Sequence, residues 1–205
     1  MHRHDQGFWD EHWREHRVAG AHETPASPYP LDAIRGLAPG TALDAGCGAG
    51  AEAIALAKRG WRVTGVDVSR TALELAGERA RSAGVAERVE WIEADLTSWQ
   101  PAGAYDLVVS SYAHTALPAK RLVQRLASWV APGGTLLVVG HLPGADAAGA
   151  HRHPTPEAAV APDELAAALD ANAWRIETAA RRRTAALPGG PLELQDAVLR
   201  ATRLG

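Results

Sequence analysis

The sequence predicts an α/β fold, a mostly parallel sheet covered by helices on both faces. Three observations predict it. From Thr41 to Gly140, short apolar runs of strand character alternate with segments of helical period. The first run turns into its helix across three glycines at every second position, Gly46, Gly48 and Gly50. The chain closes with two long strand-like segments on either side of Pro188-Gly189-Gly190. Alternating strand and helix implies right-handed crossovers and parallel order, and the closing pair reads as an antiparallel hairpin.

The elements follow in order. Phe8 to Val18 reads as a short helix with Trp9 and Trp13 one turn apart on one face. Residues 19–30 carry Gly, Pro and Ser and read as a loop. Asp32 to Leu37 is a short helix closed by Pro39-Gly40, and Thr41 to Ala45 is the first strand. A helix runs from Gly50 to Arg59 with Gly60 as its C-cap. The second strand is Arg62 to Val66, and Ser69 caps a helix reaching about Ala83. Strands follow at Arg88 to Glu93 and Tyr105 to Ser110, then a helix at Pro118 to Val130. Pro132-Gly133-Gly134 turns into a fifth strand, Thr135 to Gly140. His141 to Ala161 lacks periodicity, and a loop that long in a compact domain is usually functional or disordered. Pro162 to Ala171 is a helix with Asp163 and Glu164 in its first turn. The closing strands are Trp174 to Arg183 and Leu192 to Thr202. Residues 1–30 thus form a lid helix and loop, and 31–205 the α/β domain.

Composition narrows the function classes. The 205 residues are 46% hydrophobic with a net charge of −3, which supports one core and gives no general affinity for polyanions. Arg181, Arg182 and Arg183 form the one basic run, so no nucleic acid is expected as partner. A single cysteine, Cys47, allows no internal disulfide and suits a reducing interior. The N-terminus is charged and His-rich, without the apolar stretch of a leader, and no run is long enough to span a bilayer. The expectation is a soluble cytoplasmic protein, monomer or homodimer. His12 and His16 lie one turn apart and His151 and His153 share a loop, but neither pair has a fixed third ligand, so no metal is expected.

Leu43 to Gly50 reads Leu-Asp-Ala-Gly-Cys-Gly-Ala-Gly and carries the most chemistry. A strand that turns over bare backbone lets a ligand lie against the chain, and the helix start offers unpaired N–H groups there. Gly46, Gly48 and Ala51 satisfy a loose dinucleotide fingerprint, with Asp67 at the ribose distance. Asp44, however, would repel a pyrophosphate and suits a cationic, amino-acid-like end. The pattern Asp-x-Gly-x-Gly-x-Gly resembles motif I of class I S-adenosylmethionine-dependent methyltransferases.

The resemblance covers Phe8 to Thr202. It implies a Rossmann-like, seven-stranded, mostly parallel sheet with helices on both faces and a C-terminal antiparallel hairpin. It also implies S-adenosyl-L-methionine as cofactor and S-adenosyl-L-homocysteine as product. Asp44, Gly46, Cys47, Gly48 and Gly50 would line the turn, Cys47 as a small buried residue rather than a reactive thiol. Asp67, with Val68 beside it, matches the acidic position that accepts from both ribose hydroxyls. Asp95 and Leu96 match the segment that receives adenine, the carboxylate accepting from the exocyclic amine and the Leu96 N–H reaching a ring nitrogen. Tyr105 to Ser111 resembles the fourth-strand motif that floors the methyl-transfer site, with Ser110 at its end, and Pro132-Gly133-Gly134 is a further family habit. Trp9 and Trp13 resemble the opening of the thiopurine, thiol and halide methyltransferases, in which that helix covers the donor. An indole face near a sulfonium gains about 0.5–2 kcal/mol; simple docking of an apolar helix face is the alternative.

Methyl transfer from a sulfonium chiefly demands alignment, which can remove about 7–11 kcal/mol of barrier. A base matters only when the acceptor arrives protonated. The candidates are His114, then Tyr112 and His141, near the upper rim of strands four and five. Ser110-Ser111-Tyr112-Ala113 differs from the Asn/Asp-Pro-Pro-aromatic run of enzymes that methylate adenine or glutamine amides. A small soluble acceptor is expected, a thiol or a metalloid by similarity to thiopurine and tellurite-resistance enzymes. A cofactor-binding module without turnover and an NAD-dependent oxidoreductase remain the alternatives.

Overall fold

A computed structural model describes residues 5–18, 25–142, 160–187 and 190–205. Seven strands form one sheet in the order β3-β2-β1-β4-β5-β7-β6. They are β1 (Thr41–Ala45), β2 (Arg62–Asp67), β3 (Val89–Glu93), β4 (Tyr105–Ser111), β5 (Val130–His141), β6 (Trp174–Leu187) and β7 (Gly190–Arg203). Neighbours from β3 through β5 pair in parallel, and β7 runs antiparallel to both β5 and β6. The helices are α1 (Gln6–Val18), α2 (Tyr29–Ala33), α3 (Ala51–Ala57), α4 (Arg70–Ser82), α5 (Ala119–Ser128) and α6 (Pro162–Ala166). The sheet is the Rossmann-like one that the sequence predicts.

Successive strand residues go to opposite faces, and both faces are apolar. Leu43, Val108, Leu136 and Val138 pack under Leu122 and Leu126 of α5 and Leu165 of α6. Ala42, Leu107, Val109, Leu137 and Val139 pack under Ala33 of α2 and Ile54 and Leu56 of α3. No helix among the described residues is long and apolar enough to cross a membrane.

Several boundaries differ from the sequence reading, each for a local reason. The helix expected at Asp32–Leu37 is α2, Tyr29–Ala33, because proline at its first turn presets the helical φ, and Gly36 at φ +81° breaks the continuation. The turn expected at Pro132-Gly133-Gly134 lies inside β5. Tyr105 pairs with Val130 and Leu107 with Thr135, so the glycines form a bulge, with Gly133 at φ +78°. The last helix stops at Ala166 rather than Ala171, and Asp170 then accepts from the Asn172 N–H at 2.9 Å in the turn before β6. The closing strands run longer than expected, pairing out to Leu187 and Gly190; Pro188 and Gly189 of the predicted turn lie outside the described residues. Most of the predicted 141–161 loop does also, with His151 and His153. Ser69 caps α4 as read, its Oγ accepting from the Ala72 N–H at 3.2 Å.

Trp91 on β3 holds the sheet edge against the glycine turn. A methyl group at Gly50 would fall 2.5 Å from its ring, and one at Gly65 would overlap the ring and lie 3.2 Å from the Cys47 Sγ. Gly65→Ala is therefore expected to destabilise the fold by about 1–3 kcal/mol through overpacking. Urea unfolding followed by tryptophan fluorescence measures it, and an unchanged midpoint would refute the packing role given to Trp91.

Candidate functional site

The site lies at the carboxyl ends of β1, β2 and β4, where open α/β sheets bind ligands. Asp44 ends this part of β1 with 2% exposure, and its Oδ2 accepts from the Ala53 N–H of α3 at 3.0 Å. Burial pushes its carboxyl well above the usual range, and the nearby Glu52 and Asp67 push the same way against the Ala53 hydrogen bond. After it the chain folds back on β2: the N–H groups of Gly46 and Cys47 both donate to the Val66 carbonyl, at 2.8 and 3.1 Å. Gly46, Gly48 and Gly50 have φ of +77°, +50° and +74°, so the turn belongs to glycine on conformation alone. Contact adds to this, because a methyl group at Gly46 would meet the Ala113 Cβ at 2.6 Å. Cys47 is buried inside the turn, and burial pushes its thiol well up, away from thiolate chemistry.

Asp67, at the end of β2, accepts from the Gly48 N–H at 2.8 Å and from the Ser69 N–H at 2.9 Å. Burial raises its carboxyl, and the N–H groups of Ser69, Gly48 and Val68 oppose the rise. A carboxylate has about four lone-pair directions, so these bonds leave acceptor capacity for a pair of hydroxyls. Asp95 is exposed, and its Oδ1 accepts from the Thr97 N–H at 2.7 Å. Leu96 is buried, and its carbonyl accepts from Arg125 Nε at 2.6 Å, while Arg125 also donates to the Trp99 carbonyl at 2.5 Å. That arginine, which sequence reading passed over, fixes the loop carrying Asp95. Ser110 is buried and donates to the Ala45 carbonyl at 2.9 Å, tying β4 to the end of β1.

Helix α1 lies across these strand ends. Asp10 Oδ1 accepts from Ser69 Oγ at 2.6 Å and the Thr71 N–H at 3.2 Å, and Gln6 donates to Glu93 at 2.8 Å. Desolvation raises the Asp10 carboxyl, but these hydrogen bonds outweigh it and hold the group below its usual value. The two indoles of α1 face different partners. Trp13 lies over Gly48, where an added Cβ would fall 2.5 Å from its Cζ2. Trp9 stacks parallel to the His114 ring, with centroids 6.1 Å apart at 6°. His12 sits edge-on between them, 5.3 Å from Trp9 and 5.7 Å from Trp13.

Beyond β4 the chain opens into a cavity of about 310 Å³ lined by Ser110, Tyr112, His114, Leu122, Val138 and Leu165 among others. No Lys, Arg, Asp or Glu of the described residues lines it. Tyr112 is the one non-glycine among the described residues with positive φ, +54°, and its N–H donates to the Val139 carbonyl at 2.8 Å. Such strain persists only where neighbours enforce it. One neighbour is His141, buried and stacked on the Tyr112 ring at 4.5 Å; His114 lies 6.1 Å from the same imidazole at 17°. Tyr112 and His114 thus border the cavity, and His141 stands behind them. Sequence reading also missed Asp10, Tyr29 and Asp196. An aspartate amid the buried Ala197, Leu199 and Ala201 of β7 was the available signal for the last. Among the described residues, no group of three or more His, Cys, Asp or Glu side chains is placed to hold a metal ion.

Comparison with known proteins places this geometry. A family described as "Methyltransferase domain" matches residues 42–134, from the core of β1 through the bulge in β5. An uncharacterized methyltransferase of Mycobacterium tuberculosis is 39% identical over 111 residues, 53% of this chain and 54% of that protein. A probable thiol methyltransferase of Arabidopsis thaliana is 30% identical over 149 residues, 68% of this chain and 63% of that protein. The chain thus spans between about half and two thirds of the length of these curated relatives. A solved structure concerned with converting a disulfide bond into a thioacetal group during echinomycin biosynthesis shares the fold, at TM-score 0.71 and 23% identity over 97% of this chain and 92% of that one. The buried acidic strand end, the glycine turn and the second acidic strand end bonded to that turn all lie within residues 42–134, where the chain matches the methyltransferase domain family.

Proposed function

We propose that this chain methylates a small, neutral acceptor, of thiol type, in the cavity bordered by Tyr112 and His114. The observation that carries this reading is the cavity itself. About 310 Å³ lies at the small end of ligand pockets, and no formally charged side chain of the described residues lines it. Among the described residues an anionic acceptor would find no counter-charge there, and neither would a cationic one. The likeness to a probable thiol methyltransferase supports the choice of sulfur. A metalloid acceptor would satisfy the same cavity.

The residues present fit the cofactor. Asp44 is a buried carboxylate with acidic neighbours, a place that favours a cation. Asp67 keeps lone pairs for the ribose hydroxyls, Asp95 and Leu96 are the residues assigned to adenine, and the glycines add no side chain of their own to the turn that Trp13 covers. When bound, S-adenosylmethionine supplies an activated methyl group on a sulfonium. The protein's own work is to position: Trp13 covers the glycine turn, Trp9 presses on His114, and Ser110 locks β4 to β1. His114 is the group placed to take a proton from an acceptor that arrives protonated.

A thermal-shift panel separates this reading from its rivals. S-adenosylmethionine and its demethylated product are expected to raise the melting point and NAD to leave it unchanged, a hundredfold excess over Kd adding about 2.7 kcal/mol. Stabilisation by NAD alone would overturn the cofactor assignment. Asp67→Ala is expected to weaken binding of the demethylated product at least about tenfold in calorimetry, since hydrogen bonds to a charged group contribute about 1.5–3 kcal/mol each.

His114→Ala is expected to cut turnover of phenol about 100-fold, within the range of general base catalysis, and that of thiophenol less, because the more acidic thiol gives up its proton with less help. Equal losses would remove His114 as the base. Turnover is read as demethylated cofactor released.

The raised Asp44 carboxyl makes a pH prediction. Between the usual aspartate range and its raised value the folded chain holds a proton that the unfolded chain has released, so stability falls as pH rises through that window. Asp44→Asn keeps an acceptor for the Ala53 N–H and removes the charge. Without ligand it is expected to melt higher than the parent at neutral pH, with the gap closing as pH falls below the usual carboxylate range. A parent melting point insensitive to pH would contradict the assignment.

A further inference from the structure

Asp196 is a carboxylate inside the sheet that the site as described does not use. It lies on β7 with no exposure, and Tyr29 of α2 donates its phenolic O–H to Oδ2 at 2.8 Å. A buried carboxylate is costly unless donors surround it, and aliphatic residues would fill the place more cheaply. What stands across the strand gives it a task. In the antiparallel register of β5 and β7, His141 is the direct partner of Asp196. The Leu142 N–H donates to the Gln195 carbonyl at 3.0 Å, which makes that pair hydrogen-bonded and the adjacent His141–Asp196 pair the kind whose side chains approach more closely. Three elements, α2, β5 and β7, thus bring a phenol, an imidazole and a carboxylate to one place.

From there the contacts lead to the cavity. The His141 imidazole stacks on Tyr112 at 4.5 Å and 26°, and on His114 at 6.1 Å and 17°. Tyr112 and His114 line the cavity, while Asp196 and His141 do not. Tyr112 holds φ +54°, a conformation that its surroundings must enforce, and the ring beneath it is His141. An imidazole supports such a stack in one orientation only if its ring plane and tautomer are fixed, and a carboxylate accepting from a ring N–H fixes both.

We propose that Asp196 is a positioning residue of the acceptor cavity. Held by Tyr29, it fixes the ring of His141, which in turn holds Tyr112 and His114 as the cavity wall. The proposal rests on the methyltransferase reading only in naming the cavity an acceptor site.

The test uses the full chain with nitrogen-labelled histidine. In the parent, His141 is expected to show one tautomer with a single hydrogen-bonded, downfield ring N–H. In Asp196→Asn that proton signal is lost and the His114 resonances shift with it. With thiophenol, phenol and aniline as probe acceptors, kcat is expected to fall at least about tenfold, as for loss of other partners that orient an imidazole. Affinity for the demethylated cofactor is expected to stay within about twofold, since a group that acts on the acceptor side alone leaves ground-state cofactor binding intact. Unchanged His141 resonances in Asp196→Asn would overturn the proposal, and so would lost cofactor affinity equal to the loss in turnover. Should Asp196→Asn not fold, Tyr29→Phe leaves the carboxylate in place and is expected to shift the His141 ring N–H, and no shift would overturn the proposal. If no probe is methylated the ring resonances decide alone. Failure of the parent to bind the demethylated cofactor would count against the methyltransferase reading while leaving the resonances decisive.

Discussion

The structure depends on placing carboxylates where water is scarce. Asp44 and Asp67 end adjacent strands, both withdrawn from solvent, and their charges repel one another across the glycine turn. The fold tolerates this because backbone N–H groups converge on them: Ala53 on Asp44, Gly48 and Ser69 on Asp67. The Gly48 and Ala53 donors are presented where the chain turns sharply from β1 into α3, which requires Gly46, Gly48 and Gly50 in the left-handed region, while Ser69 lies in the separate turn from β2 into α4. Charge and backbone conformation are one constraint here. The glycines supply the curvature that presents the amides, and the amides hold the carboxylates.

Around that centre, the glycine turn covered by the Trp13 ring and the cavity beyond β4, bordered by Tyr112 and His114, share a boundary. Ser110 stands at the junction, its hydroxyl spent on the Ala45 carbonyl, so the floor between them is a bonded strand pair rather than a mobile side chain. Alignment of two reactants asks for such a floor, since misplacement of an ångström can cost about a hundredfold in rate.

Much of this was legible in the chain. The alternation of periods gave the strand order its parallel half, and the pattern from Asp44 to Gly50 located the turn, because local conformation and local chemistry both reside in consecutive residues. The interrupted β5 was misread for the opposite reason: Pro132-Gly133-Gly134 has the composition of a turn, and only pairing with Tyr105 and Leu107 makes it a bulge. The split between Trp9 and Trp13 was illegible too. Helical spacing puts both on one side of α1, but which neighbour each meets depends on how the helix is laid across β2, β3 and α4 by Asp10 and Gln6. Asp196 escaped because its partners are distant in sequence, Tyr29 lying 167 positions away.

The placement of both indoles on α1 has a mechanical consequence. A helix this short moves as a rod, so Trp13 cannot leave the glycine turn without carrying Trp9 away from His114. Polar contacts tie it to the body beside the indoles, Asp10 to Ser69 and Thr71 and Gln6 to Glu93. Uncovering the glycine turn therefore also frees the face of His114, so the two contacts are made and lost together.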